Sequence, residues 1–142
     1  MKTQILILIL VCLFHGTVVF AQSTAKTGKH DTLLVAATYP GGEQEWIAWL
    51  SRKVKSQVPV KKGAPAGNYI VIASFVVGKD GKVQDIEIMQ DPGYGTAEEL
   101  IRVLKNAPKW IPATVDGQPV LYKQKQSLLF EVVEEETRKK KG

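Results

Sequence analysis

The sequence predicts an α+β domain of order β-α-β-β-α-β, a small antiparallel sheet with two helices packed on one face. Three observations lead there. "YIVIASFVV" at 69–77 and "KVQDIEIMQ" at 82–90 are β-patterned runs joined by an Asp80-Gly81 turn. Stretches beginning near Glu43 and Thr96 carry apolar residues at helical spacing. A last run, "LYKQKQSLLFEVV" at 121–133, returns to strand alternation.

The N-terminal residues are set aside first. Lys2, an apolar run from Ile5 to Phe14 and the small-residue end Val19-Phe20-Ala21 read as a signal peptide over 1–21, which sends the mature chain to the periplasm. The alternative is a retained inner-membrane anchor, but the apolar stretch is only about 17 residues, short of the ~20 a spanning helix needs. The single cysteine, Cys12, lies in this segment, so the mature chain has no disulfide and no thiolate ligand. Without Lys2 the formal net charge of +5 falls to +4. Much of that surplus sits in Arg138-Lys139-Lys140-Lys141, directly after Glu134-Glu135-Glu136, so 134–142 reads as a solvated tail and not as a nucleic-acid surface.

The elements follow in order. Residues 22–32 are a polar, flexible leader, and the domain proper spans 33–133. "LLVAAT" at 33–38 is a first strand closed by "YPGG". Trp46, Ile47, Leu50, Val54 and Val58 recur at helical spacing, with acids early and bases late to suit the helix dipole, until Pro59 stops the run. After a loop at 61–68, the 69–77 strand is apolar on both faces, which marks it as central. Its hairpin partner points Ile86 and Ile88 inward, with Asp85 and Glu87 outward. "DPGYG" turns the chain, and Thr96 with Glu99 has the spacing of a capping box. Ala97, Leu100, Ile101 and Leu104 form the stripe of the second helix, which Pro108 ends.

Pro108 and Pro112 then stiffen the return path, Trp110 between them covers one end of the core, and Asp116-Gly117 turns into a strand begun by Pro119. The last strand sets Leu128, Phe130 and Val132 on one face, against Lys123, Lys125, Ser127 and Glu131 on the other. Its first half is polar on both faces, the mark of an edge.

"YPGGEQEW", "FVVGKDGKVQDIEI", "PKWIPATVDGQPV" and "LLFEV", in this order and spacing, resemble the carboxy-terminal domain of TonB, in the form found in Bacteroidetes-type bacteria. The resemblance covers about residues 33–133. It implies a periplasmic module that binds an extended TonB-box-like segment of an outer-membrane transporter, or another envelope protein, by strand addition to the last strand. Carried over by position, that edge is Leu121, Tyr122, Lys123, Gln124, Lys125, Gln126, Ser127, Leu128 and Leu129. Two details depart from the family pattern: the Gly before the central strand lies upstream at Gly67, and Ser127 stands where a Pro is common.

The inventory for chemistry is poor, and no catalytic residue, metal site, cofactor or small-molecule substrate is expected. His15 leaves with the signal and His30 lies in the leader. Asp80, Asp85 and Glu87 lack calcium-loop spacing, and Gly93-Tyr94-Gly95 lacks the context of a dinucleotide site. Trp46 and Trp110 read as core, whereas Trp49 reads as an exposed contact. A binding module is therefore weighed against an anchored energy-transducing subunit and against a structural domain that forms a homodimer through its edge.

Overall fold

The computed structural model describes residues 31–134; the expected signal peptide, most of the leader and most of the charged tail lie outside them. The architecture is built on β2 (Gly67–Val77), which runs between β3 (Val83–Gln90) and β6 (Tyr122–Val132) in a sheet of order β3-β2-β6. β2 and β6 pair antiparallel without a slip, from Gly67 opposite Val132 to Val77 opposite Tyr122. The β2–β3 register shifts twice, and at the second shift Asp85 and Ile86 together face Phe75, with Asp85 at φ 50 as the bulged residue.

β2 is central as expected, but for a different reason than two buried faces. Val71, Ala73, Phe75 and Val77 are fully buried on the helix side, whereas Ile70 on the other side is 43% exposed and Ile72 and Val76 are only half-buried. The helices cover one face, and on the other face of β2 only Ser74 is fully buried.

α1 (Glu43–Lys53), α2 (Val58–Lys61) and α3 (Thr96–Lys105) form that cover. α1 ends earlier than its apolar period suggests: Val54 is already extended, and Val58 and Pro59 open the separate four-residue α2, where the missing Pro N–H costs nothing. Residues three apart on a helix share a face, so Trp46 and Trp49 stack at 5.2 Å and 7° between ring planes. Trp49 is only 7% exposed, which corrects its expected role as a surface contact.

The capping box does not form. Gly95, in the left-handed region, is the N-cap of α3, and the Thr96 hydroxyl donates instead to the Gly93 carbonyl at 2.8 Å. Glu99 turns toward α1. Its carboxylate accepts from the Lys55 N–H at 2.6 Å and from Arg102 Nε at 2.8 Å, while Arg102 Nη2 donates to the Lys53 carbonyl at 2.7 Å. Backbone groups at a helix end lack intrahelical partners, and here α3 supplies them for the end of α1.

The segment at 33–38 does not join the main sheet. Leu34–Val35 (β1) instead pairs with β4 (Ala113–Val115), which pairs with β5 (Gln118–Val120), in a second sheet of order β1-β4-β5. Asp116 and Gly117, at φ 49 and 80, make the two-residue left-handed turn between β4 and β5. Pro119 therefore lies inside β5, opposite Thr114, and is tolerated because β5 is an edge.

Trp110 locks this unit to the main sheet. Its N–H donates to the Gly81 carbonyl at 2.8 Å, and its own carbonyl sits where a Cβ on Gly81 would stand, so only glycine fits that turn. Its indole ring crosses those of Trp46, Phe75 and Tyr39 at centroid distances of 4.9, 5.7 and 5.8 Å. The indole N–H has no oxygen or nitrogen acceptor among the described residues, and the crossing π faces are the acceptors on offer.

On the inner face of β6, Leu128, Phe130 and Val132 are buried as expected, and so is Gln126. Its amide oxygen accepts from Trp46 Nε1 at 2.7 Å, and its Nε2 donates to the Ser127 carbonyl at 2.8 Å. The polar first half of this strand thus owes one of its residues to the core and not to solvent.

Gln126→Leu leaves the Trp46 N–H buried without an acceptor and should cost about 1–3 kcal/mol in denaturant unfolding. Adding Trp46→Phe should recover part of that loss. A fully stable single variant would contradict the role of this bond. For Glu99, burial raises the carboxyl pKa, but the hydrogen bonds from Arg102 and Lys55 and their positive charges outweigh it, so the net shift is downward. A depressed folded pKa contributes stability that is present above the unfolded value and lost as pH falls through the folded one. The stability advantage over Glu99→Gln should therefore be full at neutral pH and fade in acid; an advantage independent of pH would contradict it.

Candidate functional site

The sheet has two edges, and the one expected to carry function is the outer side of β6. Which of its backbone groups face outward follows from β2. Gln90 Nε2 reaches the Ile70 carbonyl from the β3 side, and the Gly78 N–H bonds the Lys82 carbonyl on that same side. Backbone groups alternate along a strand, so Ile70, Ile72, Ser74 and Val76 address β3, while Val71, Ala73, Phe75 and Val77 address β6. Through the register, Tyr122, Gln124, Gln126 and Leu128 bond to β2. Lys123 and Lys125 turn their N–H and C=O groups away from the sheet.

The side chains divide by the same alternation. Tyr122, Gln124, Gln126 and Leu128 lie toward the helices, with Tyr122 and Gln124 half-buried and the other two buried. Lys123, Lys125, Ser127 and Leu129 lie on the open face of the sheet. Lys123 Nζ is 3.3 Å from Glu87 across β2, a pair with both partners well exposed and so of little energetic weight. Leu121 precedes the strand and is 58% exposed. The expected edge residues are thus contiguous, whereas Trp49 is in the core and does not belong with them.

Residues outside the last strand also border this edge. Thr38, Tyr39, Glu43, Trp46 and Trp110 surround a cavity of about 180 Å³ whose floor includes Gln124. Sequence reasoning placed none of Thr38, Tyr39 or Glu43 near the last strand, because their proximity is set by folding between distant segments. Clefts of about 460 and 340 Å³ flank Arg102 on the far side of the helices, but its guanidinium is already bonded to Glu99 and Lys53. Among the described residues no group of three His, Cys, Asp or Glu is placed to hold a metal ion, and no helix is long and apolar enough to cross a membrane.

Residues 70–132, which run from β2 to the end of β6, match the family described as Gram-negative bacterial TonB protein C-terminal. No curated protein and no solved structure is significantly similar to the chain. The matched span contains the hairpin, α3, the β4–β5 turn and the whole edge strand. The family is a non-enzymatic one of envelope proteins, associated with transport and with binding to protein partners. This match assigns residues 70–132 to the TonB C-terminal domain family, with which the antiparallel sheet and its helix-covered face are consistent.

Proposed function

We propose that this protein is a periplasmic peptide-binding module that receives an extended, TonB-box-like segment of an outer-membrane transporter as an added strand on β6. The observation that carries this reading is the outward direction of the Lys123 and Lys125 backbone groups on an 11-residue edge strand. Outward-facing donors and acceptors on an edge strand are a template for an extended chain, and main-chain bonds supply affinity whatever the partner's sequence. The polar lysines on the open face keep the edge soluble in the absence of a partner.

The domain is held ready for this. β6 is paired to β2 along its whole length and pinned to α1 through Gln126, so an incoming segment meets an ordered strand. Binding to a preformed strand avoids the ordering cost that a flexible receptor incurs.

Lys125→Pro removes one outward N–H without touching a β2–β6 bond, so the variant should fold. Beads carrying the wild-type protein should retain an outer-membrane transporter from envelope extract, identified by mass spectrometry, and beads carrying the folded variant should not. Equal retention by both forms would contradict strand addition. Concentration-dependent dimerisation of the wild type that the same proline abolishes would instead assign the edge to a second copy of the chain.

A further inference from the structure

The cavity beside Gln124 is walled by core residues, Ala37, Trp46 and Trp110, and lies next to the edge strand. We propose that it is a subsite that takes one branched aliphatic side chain of the strand added to β6. The proposal rests on the strand-addition reading and adds to it a rule for which sequences are accepted.

Position is the first argument. Of the three strands of the main sheet, only β6 lines the cavity, through Gln124. A chain paired to the outer side of β6 would lie about 4.8 Å beyond it, and side chains directly opposite one another point to the same face. Gln124 lies on the helix side, so the incoming residue opposite Gln124 directs its side chain toward Tyr39, Trp46 and Trp110.

The lining is the second. Tyr39, Trp46 and Trp110 are in mutual ring contact, with centroids 5.1, 4.9 and 5.8 Å apart, so the walls are set before anything enters. Ala37 adds a further apolar surface, and Thr38, Glu43 and Gln124 supply the polar groups. A volume of about 180 Å³ corresponds to roughly six waters at ~30 Å³ each, so a side chain of three or four carbons enters it without a clash and displaces about half of that water. Burying such a group against aromatic walls is favourable in proportion to the apolar area covered.

Charge is the third. Glu43 opposes an acidic side chain at this position. It lies in the first turn of α1 and, among the described residues, is the one charged residue of the lining.

The test is selection from a library of random peptides displayed on phage, with the purified protein as bait. Sequences retained by the wild type should share Val, Ile or Leu at one position, and Ala there should weaken the best binder about tenfold. Gln124→Trp fills the cavity and should weaken the best binder about tenfold, to the level of its Ala counterpart, so that the two peptides no longer differ. Tyr39→Ala enlarges it and should move the preference toward larger side chains. No shared aliphatic position, or a preference that both variants leave intact, overturns the subsite and leaves strand addition standing. Binding that survives Lys125→Pro, or a wild type that retains no peptide, overturns strand addition and the subsite with it.

Discussion

The hydrogen bond from the Trp46 indole to the Gln126 amide is the constraint around which this domain is arranged. An edge strand that must lie under a helix yet remain polar has a conflict on its inner face, where every buried donor and acceptor needs a partner. Gln126 resolves it by accepting from Trp46 and donating to the Ser127 carbonyl. Trp46, once fixed, is the surface on which Trp49 stacks and against which Tyr39 and Trp110 stand. The indole cluster at the edge of the sheet is therefore organised by one polar contact between residues 80 positions apart.

Two other long-range ties complete the frame. Glu99 and Arg102 bind the backbone after α1, and the Trp110 backbone binds Gly81 at the tip of the β2–β3 hairpin. Each satisfies main-chain groups that no local element serves, which is why each is costly to lose. Together they hold α1, α3 and the small second sheet on one side of the main sheet, and among the described residues no strand pairs with the outer side of β6. At the β6 edge of the main sheet an aromatic cavity thus lies on the helix side and lysines on the opposite face.

The central hairpin, α3 and the alternation of the last strand were legible in the sequence because each is specified by neighbours in the chain. Asp80-Gly81 announces its turn, and Val71, Phe75, Ile86 and Ile88 announce their faces. What was not legible depended on distant partners. Thr96 and Glu99 have the spacing of a capping box, but the unsatisfied groups after Lys53 compete for Glu99 and win. Trp49 reads as an exposed contact in the sequence, whereas stacking on Trp46 three residues earlier takes it inward. The burial of Gln126 has no local signal, since nothing near it in the chain reveals an indole donor. The stretch at 33–38 is short enough to pair wherever a partner is offered, and the β4–β5 hairpin offers it.

The central claim is that the Lys123 and Lys125 amides are turned outward from a strand that is otherwise firmly paired, and backbone hydrogen exchange reads this residue by residue. In the free protein at low concentration, the amides of Gln124 and Gln126 should be protected and those of Lys123 and Lys125 should exchange rapidly. Addition of a bound extended peptide should protect the two lysine amides and leave the glutamines unchanged. Protection of all four amides in the free monomer, or lysine amides that still exchange rapidly when the partner is bound, would contradict the account.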